Sequence, residues 1–379
     1  MSGAGRLQAL RDACRAALAD LDEADRRARH HPELSPLAWH LGHVFFVESY
    51  WVQEVVLGRD DQTRSWHTLY FPELCPKGER PARLPDGEAL LAWTREMAAA
   101  NDACWPETGA HPLLRDGYLR RFLAQHYAQH LETMRLARRQ IRMRDASTVP
   151  PAPLTEARPP AAEAVDIPAA GIDLGGTGED AVYDNEHPVH RRRIPGCRIA
   201  AAPVTNAEWL AFMADGGYRR PELWTPAGHD WLATAGARAP EHWRPHPDGG
   251  WYSADPEDAL SPDAPVHGIC AHEADAFARW AGARLPHEHE WESAARQGHL
   301  AGDGRVWEWC GNALYPYPGF TAFPYEGYST PWFDGAHRVL RGASRLTEPE
   351  IRRPSFRNFY PEGHRHVVAG LRLAWDAAP

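Results

Sequence analysis

The feature that most limits what this chain can become is a change of texture at residues 146–162. The run ASTVPPAPLTEARPPAA is rich in proline and alanine and has no apolar period. Such a segment supports neither a helix nor a sheet ladder and reads as an extended linker. It divides the 379 residues into stretches 1–145 and 163–379, and two domains is the natural expectation for that length. Ahead of the linker, helix-period apolar runs cover 4–29, 35–58, 87–102 and 116–143, separated by loops containing proline and glycine. Four such helices imply a bundle with functional side chains projecting inward. Ser35 before Pro36 reads as an N-cap followed by a first-turn proline. Beyond the linker, short β-like runs alternate with turns, and TNAEWLAFMADGG and AHEADAFARWAGA are the two expected helices. The predicted class is α+β in two domains.

A net charge of −10 gives no nucleic-acid footprint. Arg191-Arg192-Arg193 reads as a solvated strand end, and Gly175-Gly176-x-Gly178 as a turn rather than a phosphate loop. No apolar stretch approaches the ~20 residues that cross a bilayer. The amphipathic N-terminus lacks the apolar core of a secretory signal. Six scattered cysteines without a C-x-x-C fit free thiols in a reducing cytoplasm. The expectation is a cytoplasmic protein acting on small molecules, without nucleic-acid or membrane partners. Its oligomeric state is not legible. Most of the sixteen tryptophans read as core filling for a loop-rich domain.

His126 and His130 carry the strongest chemical signal. Their i, i+4 spacing in RRFLAQHYAQHLETMRLARRQ puts both imidazoles on one helical face. Two imidazoles so placed can chelate one divalent ion. Gln129 and Glu132 offer polar groups to orient the rings. His43 and His40, in LSPLAWHLGHVFFVESYW, are both candidates for a third ligand, and spacing alone does not choose between them.

The ordered motifs Asp184-Asn185-Glu186-x-Pro188, PVTNAEWLAFM, ARWAGARLPHEHEWESAAR, VWEWCGN, VLRGAS and GLRLA resemble the formylglycine-generating-enzyme, or sulfatase-modifying-factor, domain over 165–376. The resemblance implies a C-type-lectin-like fold. SPLAWHLGH with HYAQHLE resembles a DinB-like four-helix bundle. The two in this order resemble ergothioneine sulfoxide synthases and their selenoneine-synthase relatives. These are non-haem iron(II) enzymes that use O2 to join a chalcogen to the imidazole C2 of hercynine (trimethylhistidine). By that resemblance Fe(2+) is held by His43, His126 and His130, and this selects His43 over His40. Gln129 contacts the histidine-derived substrate. The segment Tyr325-Glu326-Gly327-Tyr328-Ser329-Thr330-Pro331 supplies the catalytic tyrosine, Tyr325, as a proton or hydrogen-atom donor. A phenol with a pKa near ~10 holds its proton at neutral pH. Asn358 holds the betaine end, and Phe359 stands where the family commonly has a tryptophan to face the quaternary ammonium.

The donor side departs from the family. Tyr360 and His364 occupy the places of an Asp and an Arg that serve γ-glutamylcysteine. A basic cluster for donor carboxylates is thinned to Lys77 and Arg80 in CPKGERPARLP. Between SAAR and VWEW only QGHLAGDGR remains of a longer family insertion. These departures favour the selenoneine-synthase branch and a selenosugar donor such as 1-selenoglucose. The alternatives are an ergothioneine sulfoxide synthase using cysteine or γ-glutamylcysteine, a zinc hydrolase, and a non-catalytic lectin-like module. His287 and His289 in LPHEHEWE are expected to be surface or packing residues.

Overall fold

A computed structural model describes residues 3–105, 111–146, 150–160, 163–176 and 182–377. The chain forms two units. The first is Met1–Arg144 with Glu348–Ile351; the second is Asp145–Thr347 with Arg352–Pro379.

The first unit is built on helices α1 (Gly3–Ala16), α2 (Leu37–Ser49), α3 (Gly87–Cys104) and α4 (Tyr118–Asp145). Two of them differ from expectation. The run 4–29 breaks after Ala16, and Asp22 caps a separate short helix, Glu23–Arg27, by accepting from the Asp25 amide at 2.8 Å. Helix α2 starts at Leu37 with Pro36 at the cap position. The Ser35 hydroxyl does not cap it, because the buried Arg80 guanidinium claims that oxygen. Helix α2 is buried over its whole length and continues as a π-helix through Tyr50–Val56. Its apolar surface all round suits a central helix.

A buried polar network fixes how these helices face one another. Glu48 of α2 is ion-paired with Arg11 of α1. It accepts from the Tyr127 hydroxyl of α4 at 2.7 Å and from Asn101 of α3 at 3.0 Å. One carboxylate thus ties together all four helices and sets the face that α4 turns toward α2. A buried charge satisfied this fully specifies register more than it adds stability. The segment Glu348–Ile351 is held by Arg6 through Glu348 and Glu350, and by Arg135 through Glu348 at 2.6 Å.

In the second unit, β1 (Ala164–Ile167), β4 (Cys197–Ala200) and β11 (Ala374–Asp376) form one antiparallel sheet in the order β1-β4-β11. A four-stranded sheet runs β10 (Ala369–Leu371), β7 (Trp307–Ala313), β8 (His337–Gly342), β9 (Asn358–Pro361), with only the β10–β7 pair parallel. Two ribbons complete the strands: β2 (Ala170–Leu174) with β3 (His190–Ile194), and β5 (Trp243–Pro245) with β6 (Trp251–Ser253). Arg191, Arg192 and Arg193 lie exposed in β3. Helices α5 (Asn206–Ala214) and α7 (Ala271–Trp280) fall where expected. Helices α6 (Pro226–Ala235) and α8 (Glu288–Arg296) were not foreseen.

The core of this unit is strongly ionic. Glu288 and Glu292, one turn apart on α8, are fully buried and share Arg341 at 3.2 and 2.6 Å. Arg357 grips Glu288 with two bonds of 2.8 Å, and Arg372 does the same to Glu308. The Asp184-Asn185-Glu186 motif has a structural task. Asp184 accepts from Ser329, the Asn185 carbonyl from Arg357, and Glu186 from Arg353 and Ser355. His289 is buried with its Nε2 2.8 Å from the Tyr315 hydroxyl, and the half-buried His287 ring caps α8. In the short connection 297–305, Leu300 packs on two apolar clusters, one with Ile199 and one with Trp291.

Residues 147–149 and 161–162 of the expected linker, and 177–181 of the glycine turn, lie outside the described residues. The remainder of the linker is extended but fastened to the second unit. Leu154 is buried and pairs with Trp251, and the Arg158 amide donates to the Ala207 carbonyl at 3.0 Å. One leucine among the prolines gives the segment an apolar anchor. All six cysteines are buried thiols, and none is in a disulfide. Among the described residues no helix is long and apolar enough to cross a membrane.

Candidate metal centre

Helix α2 brings His43, and α4 brings His126 and His130, to one place in the first unit. One ring nitrogen from each lies within 4.8 Å of the other two. The Nε2 atoms of His43 and His126 are 3.3 Å apart, and the ring centroids of His126 and His130 are separated by 4.5 Å. The i, i+4 spacing on α4 produces the second contact. The Glu48–Tyr127 bond, one residue from His126, turns that face toward α2.

The ring of His43 is fixed by a hydrogen bond and by a stacked ring. Its Nδ1 donates to the Tyr70 carbonyl at 2.8 Å, which leaves Nε2 as the bare lone pair facing His126. Trp39 stacks on it at 4.7 Å, and the Arg80 guanidinium lies 3.6 Å over Trp39. Tyr70 reaches this position because residue 42 is glycine; a Cβ there would collide with the phenol.

Burial pushes the His43 pKa down to about 4, with the Tyr70 carbonyl opposing and Arg80 assisting. Burial, then the neighbouring histidines, hold His126 and His130 well below the ordinary imidazole range. Three neutral nitrogen donors therefore face one another, and among the described residues no carboxylate joins the set. The Nδ1 of His126 is buried without a hydrogen-bond partner. That chemistry suits a borderline divalent cation and leaves coordination positions for other ligands. His40 stands beside the triad, with its Nδ1 3.0 Å from the Nδ1 of His130. With the proton on His130 Nδ1 and donated to His40 Nδ1, the His130 tautomer would be fixed with its Nε2 bare. Both orienting contacts, the Tyr70 carbonyl and His40, escaped the sequence reading: the first is backbone, and the second was read as a rival ligand.

The remaining candidates are distributed over both units. Gln129 is half-buried beside His130. Arg80 is buried, with its donors occupied by the Cys75 carbonyl at 2.9 Å, the Pro72 carbonyl at 3.4 Å and Ser35. Lys77 is exposed and donates to the Glu33 carbonyl at 2.8 Å. In the second unit Tyr325 is 42% exposed. The loop that carries it is pinned by the Ser329–Asp184 bond and by Tyr328 stacked on Tyr183 at 4.0 Å. Asn358 and Phe359 lie on β9, paired with Leu340 and Val339. Phe359 packs against the cluster of Trp291, Cys310, Leu314 and Val339. Tyr360 lies 6.1 Å from His364 and 5.7 Å from His366, centroid to centroid.

Residues 6–134 match the DinB superfamily, and 150–303 with 301–377 match the sulfatase-modifying factor enzyme 1-like domain. The chain is 34% identical to a hercynine oxygenase of Mycolicibacterium thermoresistibile, with 95% of this chain and 91% of that protein covered. It is 33% identical to a hercynine oxygenase of Mycolicibacterium smegmatis, with 95% of each covered. Over 82 residues, 21% of this chain and 9% of the other, it is 37% identical to ergothioneine biosynthesis protein 1 of Neurospora crassa.

Proposed function

Since the chain belongs to the hercynine oxygenase family, with a DinB-superfamily domain ahead of a sulfatase-modifying-factor-like domain, we propose that it is an O2-dependent oxidoreductase acting on hercynine. In this reading His43, His126 and His130 hold ferrous iron and the product carries a new carbon–chalcogen bond at imidazole C2. The observation that carries the reading is the buried triad of neutral imidazoles whose ring nitrogens lie within 4.8 Å of one another. When bound, iron(II) would supply O2 activation and one template for both substrates.

The chain's own residues do the rest. The Tyr70 carbonyl and His40 keep the ligand tautomers in place. Arg80 and Trp39 brace His43 from behind, a positioning task rather than a donor clamp. Gln129 orients the histidine-derived substrate, and Asn358 with Phe359 receives its trimethylammonium end. Tyr325 delivers a proton or hydrogen atom during coupling.

The donor is a selenosugar of the 1-selenoglucose kind. Tyr360 and His364, which lie close together on the second unit, offer hydroxyl and imidazole groups suited to sugar hydroxyls. They do not form the acid–base pair a charged peptide donor needs. Iron-loaded protein should be given hercynine with 1-selenoglucose, 1-thioglucose, cysteine and γ-glutamylcysteine in parallel, and the products read by mass spectrometry. A carbon–selenium product is expected; efficient turnover with γ-glutamylcysteine alone would overturn the donor assignment. Tyr325→Phe should lower kcat and leave iron content unchanged.

A further inference from the structure

The second unit holds another convergent ligand set, made entirely from loops. His242 lies just before β5, Asp258 follows β6, and His267 precedes α7. One donor atom from each falls within 4.8 Å of the other two. Backbone bonds sew these loops together: Glu241 N to Gly268 O at 2.8 Å, Ala254 N to His242 O at 2.8 Å, and Asp258 N to Asp255 O at 3.0 Å. Gly268 takes a φ of +72°, and a Cβ there would stand 2.7 Å from His242 Nδ1. Only glycine allows both that backbone and that ring position.

The two imidazoles stack at 4.3 Å with 7° between their planes. Both present Nε2 to one carboxylate oxygen: His267 at 2.7 Å and His242 at 4.0 Å from Asp258 Oδ2. Arg345 reaches the same oxygen at 2.9 Å. A plain ion-pair network accounts for His267 and Arg345. The His242 ring is held parallel to that of His267, with its Nε2 4.0 Å from the same oxygen. A tetrahedral zinc with ligand bonds of ~2.0–2.1 Å sets its donor atoms about 3.3 Å apart. The two nitrogen–oxygen separations bracket that value. Slight opening of the His267–Asp258 contact and splaying of the stack would seat an ion.

We propose that His242, Asp258 and His267 form a second metal site, of two-imidazole, one-carboxylate composition, that takes a zinc-class divalent cation and staples the loops of residues 241–268. The side chains of His242 and His267 are 1% and 7% exposed. Such closure suits a structural ion rather than one open to substrate. Arg345 fills the role of counter-charge when the ion is absent, so it competes with it.

The test uses the full chain carrying His126→Ala and His130→Ala, which removes the helical triad and leaves this site alone. After chelation, Co2+ is titrated in and followed by visible absorption and by metal content after gel filtration. One equivalent is expected, with a raised Tm. Adding Asp258→Asn should remove both the bound ion and the Tm gain. His267→Gln should do the same, with circular dichroism confirming that each variant is folded. Arg345→Met should tighten binding by about tenfold or more, because a cation no longer opposes the ion. Absence of a bound equivalent in the parent variant, or binding unchanged by both Asp258→Asn and His267→Gln, would overturn the site.

Discussion

The two histidine clusters solve a similar geometric problem by opposite means. The triad of the first unit stands on two long helices and contains no charge of its own. The set in the second unit stands on three loops and already contains an anion, Asp258, with Arg345 in contact. Helices place ligands by periodicity, so one polar network at Glu48 is enough to aim them. Loops have no period, and each must be tied by its own backbone bonds and by a glycine that no other residue replaces. The charge differs for the same reason. Neutral donors leave a bound cation strongly positive and open to anionic ligands, whereas a carboxylate with a nearby guanidinium favours a closed, quiet site.

The sharpest way to break this contrast is to delete a helical ligand. His126→Ala or His130→Ala should lower metal content by one ion and take turnover of hercynine below detection, while the loop set is left intact. Metal analysis with a product assay reads both. Next in size is Arg357→Met, which leaves Glu288 buried without its bidentate partner. The expected loss is about 3–5 kcal/mol of stability in the second unit, with metal binding at the triad preserved; chemical denaturation followed by metal content checks it.

Acid should separate the units in the same direction. Burial pushes the Glu288 pKa up, but Arg357 and Arg341 prevail and hold it at about 2, below its usual 4.5. Its folded pKa is depressed. Its stabilisation is therefore complete above the usual value and is lost as pH falls from there through about 2. Unfolding midpoints of the second unit should fall over that window, read by denaturant titration at stepped pH. Gly42→Ala sharpens the helical side of the contrast. The added methyl group meets the Tyr70 phenol, at a cost of about 1–3 kcal/mol, and shifts the carbonyl that holds His43, so metal affinity at the triad should drop as well. The smallest effect is expected from Thr205→Ala, which removes the reciprocal cap of α5 with Glu208 and should cost about 1 kcal/mol without touching either cluster.

How much of this was legible follows from the same distinction. His126 and His130 announce themselves because four residues is one helical turn. The structure brings His43 and His40 alike beside them, so the resemblance, rather than the spacing, is what chooses between the two. Nothing in the sequence links His242 to Asp258 and His267, because loop paths between short strands carry no repeating signal. The bundle helices were readable from apolar period. The break after Ala16 was not, because Asp22 competes for the backbone amides of the next turn. Ser35 misled for a related reason: a good capping residue is also a good partner for a buried guanidinium. The ionic core of the second unit was hidden in LPHEHEWESAAR, whose charges at positions 288 and 292 look like a solvated face until Arg341 and Arg357 arrive from far along the chain.

The concealed thiols give the chain a built-in reporter. Cys14, Cys75 and Cys104 lie in the first unit, and Cys197, Cys270 and Cys310 in the second. A maleimide probe finds little to alkylate until one half opens, and the peptides it then tags reveal which half opened first. Pulsed labelling with peptide mapping can thus follow the two halves separately in a single sample, without a dye or an engineered handle.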